Sequence, residues 1–107
     1  MPKAALGEFE HHVLLAAVRL GARAYTVTIV QELEERTGRE VAPAAVFIAL
    51  RRLEEHGLVS SRLVTPAGDW RARRLVTVTA RGRALLRQSR ERLLSLWEGL
   101  EPLWKGR

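Results

Sequence analysis

At Leu58 the hydrophobic rhythm of the chain changes, and this change limits the possible fold more than any other feature of the sequence. Before it, apolar residues recur three and four positions apart; after it, LVSSRLV and RRLVTV alternate and are rich in β-branched residues. Between the two alternating runs lies TPAGDW, whose Pro66, Gly68 and Asp69 are turn formers, so residues 58–78 are predicted to form a two-stranded hairpin. Helical signals fill the rest. Phe9, Val13, Ala16, Ala17 and Leu20 mark a first helix over Gly7–Leu20, stopped by Gly21. Thr26 is the expected cap of a second, with Val27, Ile29, Val30 and Leu33 inward and Gly38 at its end. Pro43 suits the first turn of a third helix that buries Val46, Ala49, Leu50 and Leu53 and ends at Gly57. Thr79 is placed to cap a long fourth helix over Ala80–Trp104, weakened near Gly99 and Pro102.

Three helices followed by a hairpin give an α+β fold, mostly α: a winged helix-turn-helix with a long C-terminal helix. Residues 1–79 are expected to form the DNA-binding domain and residues 80–107 the dimerisation helix, in one compact unit. In such a fold the third helix lies in the major groove and the hairpin, or wing, reaches an adjacent backbone or the minor groove.

Charge follows the same division. The formal net charge is +6; residues 1–38 carry −1, residues 39–92 carry +7, and residues 93–107 are neutral. A basic middle between neutral flanks fits a polyanion, because each cation set against a phosphate releases a condensed counterion. A solvated arginine-rich surface is the plainer reading of the same run.

Catalysis finds no support. Asp69 is the only aspartate and falls in the predicted turn, and the chain has no Gly-rich phosphate loop, no HExxH motif and no cysteine. Glu8, His11 and His12 offer too few ligands for a metal, so neither a metal nor a cofactor is expected. Neither a signal-peptide pattern nor an apolar spanning segment is present, which leads to the expectation of a cytoplasmic protein.

The third-helix run AAVFIALRRLEEHGLVSS resembles the signature of the PadR-type transcriptional regulators, and so do LGEFEHHVLLAAVRLG, AYTVTIVQELEERTGREV and VTVTARGRALL. Nearly the whole chain takes part, and its length is similar to that of the shorter members with a single C-terminal dimer helix. The resemblance implies a homodimeric repressor that binds operator DNA through the third helix and wing, with small-molecule release in some members. Two positions depart from the pattern. Phe47 stands where the family usually has a phosphate-reaching tyrosine, and Arg73 to Thr79 keeps the wing's charge but not its aromatic pair.

Helical geometry turns Ala44, Phe47, Ile48 and Arg51 outward as the candidate DNA face. With Arg51 its only side-chain donor, base discrimination is expected to be limited, and Phe47 and Ile48 are equally open to packing against protein. In the wing, Arg62, Arg71, Arg73 and Arg74 are the candidate phosphate contacts. Leu86, Leu93 and Leu100 repeat every seven residues, with Leu96 and Leu103 as the second position of the same seam. This is the candidate dimer interface, with Trp97 and Trp104 on its flank. Across a twofold axis these two indoles either fill the dimer core or leave a slot for a planar aromatic effector, as the drug-binding short members suggest by resemblance. The rival functional reading is a winged-helix protein-interaction module without a specific operator.

Overall fold

The computed structural model describes residues 6–100 and Leu103. Its elements run α1 (Glu8–Leu20), a single 3-10 turn (Gly21–Arg23), α2 (Thr26–Thr37), α3 (Pro43–Glu55), β1 (Val59–Val64), β2 (Arg73–Val78) and α4 (Ala80–Trp97). This is the winged-helix order.

Each of the first three helices contributes one apolar stripe to a shared core: Val13, Leu14, Ala16 and Ala17 from α1, Ile29, Val30 and Leu33 from α2, and Val46, Ala49, Leu50 and Leu53 from α3. Leu14, Ile29 and Leu53 are among the largest side chains fully withdrawn from water, and each such burial stabilises by about 1.5–3 kcal/mol. Pro43 stands in the first turn of α3 as expected. The cap of α2 differs from expectation: Tyr25, not Thr26, precedes the helix, and its N–H donates to Thr28 Oγ1 at 2.9 Å. Tyr25 is already extended, so the hydroxyl that satisfies the helix start is the one three residues on.

β1 and β2 pair antiparallel, with Val59 opposite Val78 and Val64 opposite Arg73. The second strand is also held on its other edge, where Val76 N–H donates to the Ala24 carbonyl at 2.9 Å. Leu58, Val59, Leu75, Val76 and Val78 carry the hairpin's stem into the helical core, so only the outer half of the wing stands clear.

The start of α4 is tied to the end of α3 by a small polar knot. Thr79 Oγ1 accepts from Gly82 N–H at 3.0 Å and donates to the Gly57 carbonyl at 2.8 Å, while Thr79 N–H donates to the Leu58 carbonyl at 3.0 Å. Gly82 makes this closeness possible: a Cβ there would lie 2.2 Å from the Leu58 carbonyl oxygen and 2.9 Å from Val78 Cγ1.

The fourth helix is shorter than its leucine pattern suggests. It ends at Trp97; Glu98 is extended, and Gly99 takes a positive φ of 83° that a helix does not contain. The seven-residue spacing therefore does not run along one rod. Leu86 is buried in the core, Leu93, Leu96 and Trp97 lie exposed on the helix, and Leu100 and Leu103 follow the break. Trp104 lies outside the described residues. Among those residues no helix is long and apolar enough to cross a membrane.

Candidate nucleic-acid interface

The outer face of α3 is a half-apolar strip with a cationic end. Ala44, Phe47, Ile48 and Arg51 are all exposed, and Phe47 and Ile48, at 52% and 51%, are not tucked beneath α2. The turn that presents this helix is fixed by side chains. Gly38 ends α2 in the left-handed region, Thr37 Oγ1 accepts Arg39 N–H at 3.3 Å, and Glu34 Oε2 accepts Val41 N–H at 3.0 Å. No side chain caps α3, which leaves its first-turn amides directed outward. Among the described residues neither Arg51 nor Arg52 is ion-paired.

A relay of side chains joins this strip to the wing. Glu54, three residues beyond Arg51 on the same side of α3, accepts from Ser61 Oγ at 3.0 Å, and Ser61 Oγ accepts from Arg74 Nη1 at 3.2 Å. The relay holds Arg74 beside the last turn of α3, with its guanidinium still exposed.

The four wing arginines do not form one patch. Strand register and pleat put Arg62 and Arg73 on the face that carries Leu75, and Arg74 on the face that carries Val76. Arg73 is further committed within the chain: its Nε donates to Asp69 Oδ2 at 2.8 Å and its guanidinium lies 5.9 Å from the centre of the Tyr25 ring. Arg71 stands outside the strand, its guanidinium 5.0 Å from the centre of the Trp70 ring. Three cations of the wing, Arg62, Arg71 and Arg74, are thus exposed without a carboxylate partner among the described residues.

Three contributors escaped the reading of the sequence. Glu54 and Ser61 act through a contact seven residues apart, for which periodicity offers no sign. Asp69 was legible only as a turn residue, although an aspartate followed by free amides is a known turn-closing pattern. Its carboxyl is held below the ordinary carboxylate range, first by the Arg71 N–H, then by the Arg73 guanidinium.

At the other end of the molecule, α4 meets α1 at His11. His11 Nδ1 lies 2.9 Å from Ser89 Oγ, and burial, aided by neighbouring His12, lowers the imidazole's pKa. His12 Nε2 approaches Glu8 Oε2 at 4.0 Å, and no cluster of three or more metal-ligating side chains occurs among the described residues. Beside His11 opens an apolar groove of about 590 Å³, lined by Leu15, Leu86, Leu93, Leu94 and Trp97 with Arg87 and Arg90 at its edge.

The family profile described as "Transcriptional regulator PadR-like family" matches residues 14–88. The chain belongs to the PadR-like family of transcriptional regulators. Its fold is shared by a PadR family regulator from Eggerthella lenta, at 24% identity over 89% of this chain and 82% of that one, with a TM-score of 0.66. A PadR-like regulator from Bacillus cereus is 15% identical over 92% of this chain and 93% of that one, with a TM-score of 0.74. RosR of H. salinarum is 28% identical over 88% of this chain and 79% of that one, with a TM-score of 0.67. No curated protein matches the sequence. The PadR-like match spans α3, both wing strands and the first half of α4, so the strip, the relay and the knot all fall within the region that defines the family.

Proposed function

We propose that this PadR-like protein is a cytoplasmic, homodimeric repressor in which residues 1–79 bind operator DNA and residues 80–107 form the dimer. The observation that carries this reading is the continuity of the exposed α3 face with Arg74 through Glu54 and Ser61. A helix sized for the major groove and a cation beside it are what a duplex requires. Ala44, Phe47 and Ile48 supply apolar contact suited to thymine methyl groups, Arg51 supplies the one base-directed donor, and Arg62, Arg71 and Arg74 supply phosphate contacts. Arg73 acts one step back, as a partner of Asp69.

Mobility shift of promoter and random duplexes at two salt concentrations tests the reading. Arg62→Glu with Arg74→Glu is expected to reduce affinity on the order of a hundredfold at low salt and to flatten the salt dependence, since each lost phosphate contact lowers the slope by about one. Unchanged affinity removes the wing from the interface. Absence of any DNA binding by the unaltered protein favours the protein-interaction module instead.

The dimer is supported by the outer half of α4, where Leu93, Leu94, Leu96 and Trp97 are exposed together with Leu15 of α1. A second copy of this face would cover them. The groove beside Trp97 has the size and apolar lining for a planar aromatic effector. A planar aromatic dye is expected to quench tryptophan emission at micromolar concentration, and Trp97→Ala to remove most of that response. Quenching that survives Trp97→Ala and disappears in Trp70→Phe rules out an effector at this seam.

A further inference from the structure

Trp70 is left open to solvent. It is 84% exposed, the highest value among the exposed large apolar side chains of the described residues, and it stands at the tip of the wing. The backbone of the tip is nevertheless held by a set of hydrogen bonds. Asp69 Oδ1 accepts the N–H groups of Trp70 at 2.8 Å and Arg71 at 3.1 Å, while Oδ2 takes the Arg73 guanidinium at 2.8 Å. Asp69 N–H closes the turn on the Pro66 carbonyl at 3.0 Å, and Gly68 takes the positive φ of 82° that the turn needs. One carboxylate therefore fixes three consecutive features of the loop: where the indole leaves the chain, where Arg71 leaves it, and how the loop joins β2.

We propose that Trp70 and Arg71 form a preassembled minor-groove reading element, with Asp69 as its positioning residue. The inference rests on the DNA-binding reading above and adds a specificity to it. Stacked with 5.0 Å between guanidinium carbon and ring centre, the two planar groups together exceed the width of a minor groove of about 6 Å. Arg71 therefore enters the groove and the indole lies along the deoxyribose wall. Arginine in this position favours narrow grooves, whose negative potential is strongest, and is obstructed by the 2-amino group of guanine. Ordering the pair in advance reduces the conformational entropy lost on binding. The three wing cations without a carboxylate partner among the described residues favour a polyanion over a protein surface as the indole's neighbour.

The test uses two duplexes of one mixed sequence, the second with inosine in place of every guanine. This change removes the 2-amino group from the minor groove and leaves the major-groove acceptors in place. The unaltered protein is expected to bind the inosine duplex about fivefold more tightly. Trp70→Ala and, separately, Asp69→Ala should bring the ratio to about one, while Trp70→Phe, which keeps a flat ring, should retain part of it. The ratio is the decisive readout for Asp69, because loss of loop stability alone would lower both affinities together. Equal binding of the two duplexes by the unaltered protein, or a ratio that survives Trp70→Ala, overturns the proposal and leaves the DNA-binding reading standing. Failure to bind either duplex overturns both and directs the search to a protein partner for the indole.

Discussion

Gly82→Ala is expected to lower the thermal midpoint of unfolding by about 15 °C, although alanine is the better helix former by about 1 kcal/mol. The new methyl would sit 2.2 Å from the Leu58 carbonyl oxygen, and that oxygen is backbone, already engaged by Thr79 N–H. Neither partner moves without breaking the knot. Overpacking commonly costs about 1–3 kcal/mol and more when the obstacle is main chain, so a loss of roughly 3 kcal/mol outweighs the gain in helix propensity. The sign alone is therefore informative. A calorimetric or circular-dichroism midpoint that stays level or rises would show that α4 does not approach Leu58 this closely in solution.

Leu93→Glu combined with Leu96→Glu is expected to yield a folded monomer whose DNA affinity falls on the order of a hundredfold, because two linked half-sites become independent. Both residues lie beyond Leu86, the last buried residue of α4, and are 51% and 72% exposed, so no protomer core is disturbed. Sedimentation reports the association state and far-ultraviolet circular dichroism the fold. A dimer that survives both changes places the interface on another surface.

The fold was legible wherever burial and local geometry act together. The stripes Val46, Ala49, Leu50, Leu53 and Val13, Ala16, Ala17 are inward-facing, and the change of period at Leu58 marks the start of the wing. Thr79 caps α4 as its hydroxyl and position suggested. Less legible was the end of α4, where a regular leucine spacing competes with Gly99 and backbone geometry prevails. The candidate interface divides in the same way. Exposure of Ala44, Phe47, Ile48 and Arg51 follows from periodicity alone, whereas the separation of Arg73 from Arg74 depends on strand register and on a carboxylate four residues upstream. Composition counted four wing cations; pairing leaves three of them open.

The Thr79 and Gly82 knot has a mechanical meaning in the proposed dimer. The 18-residue α4 is about 27 Å long. It is joined at its start to the last turn of α3 and held along its first half by buried Leu86 and by the Ser89–His11 contact with α1. A tilt of about 10° at the joint would carry its far end roughly 5 Å, while successive half-sites on one side of a duplex are spaced about 34–36 Å apart. In the proposed dimer the joint would act as a gauge, its angle setting the distance between the two α3 helices. A change there would alter which operator spacings are accepted without touching a base, a phosphate or the dimer seam.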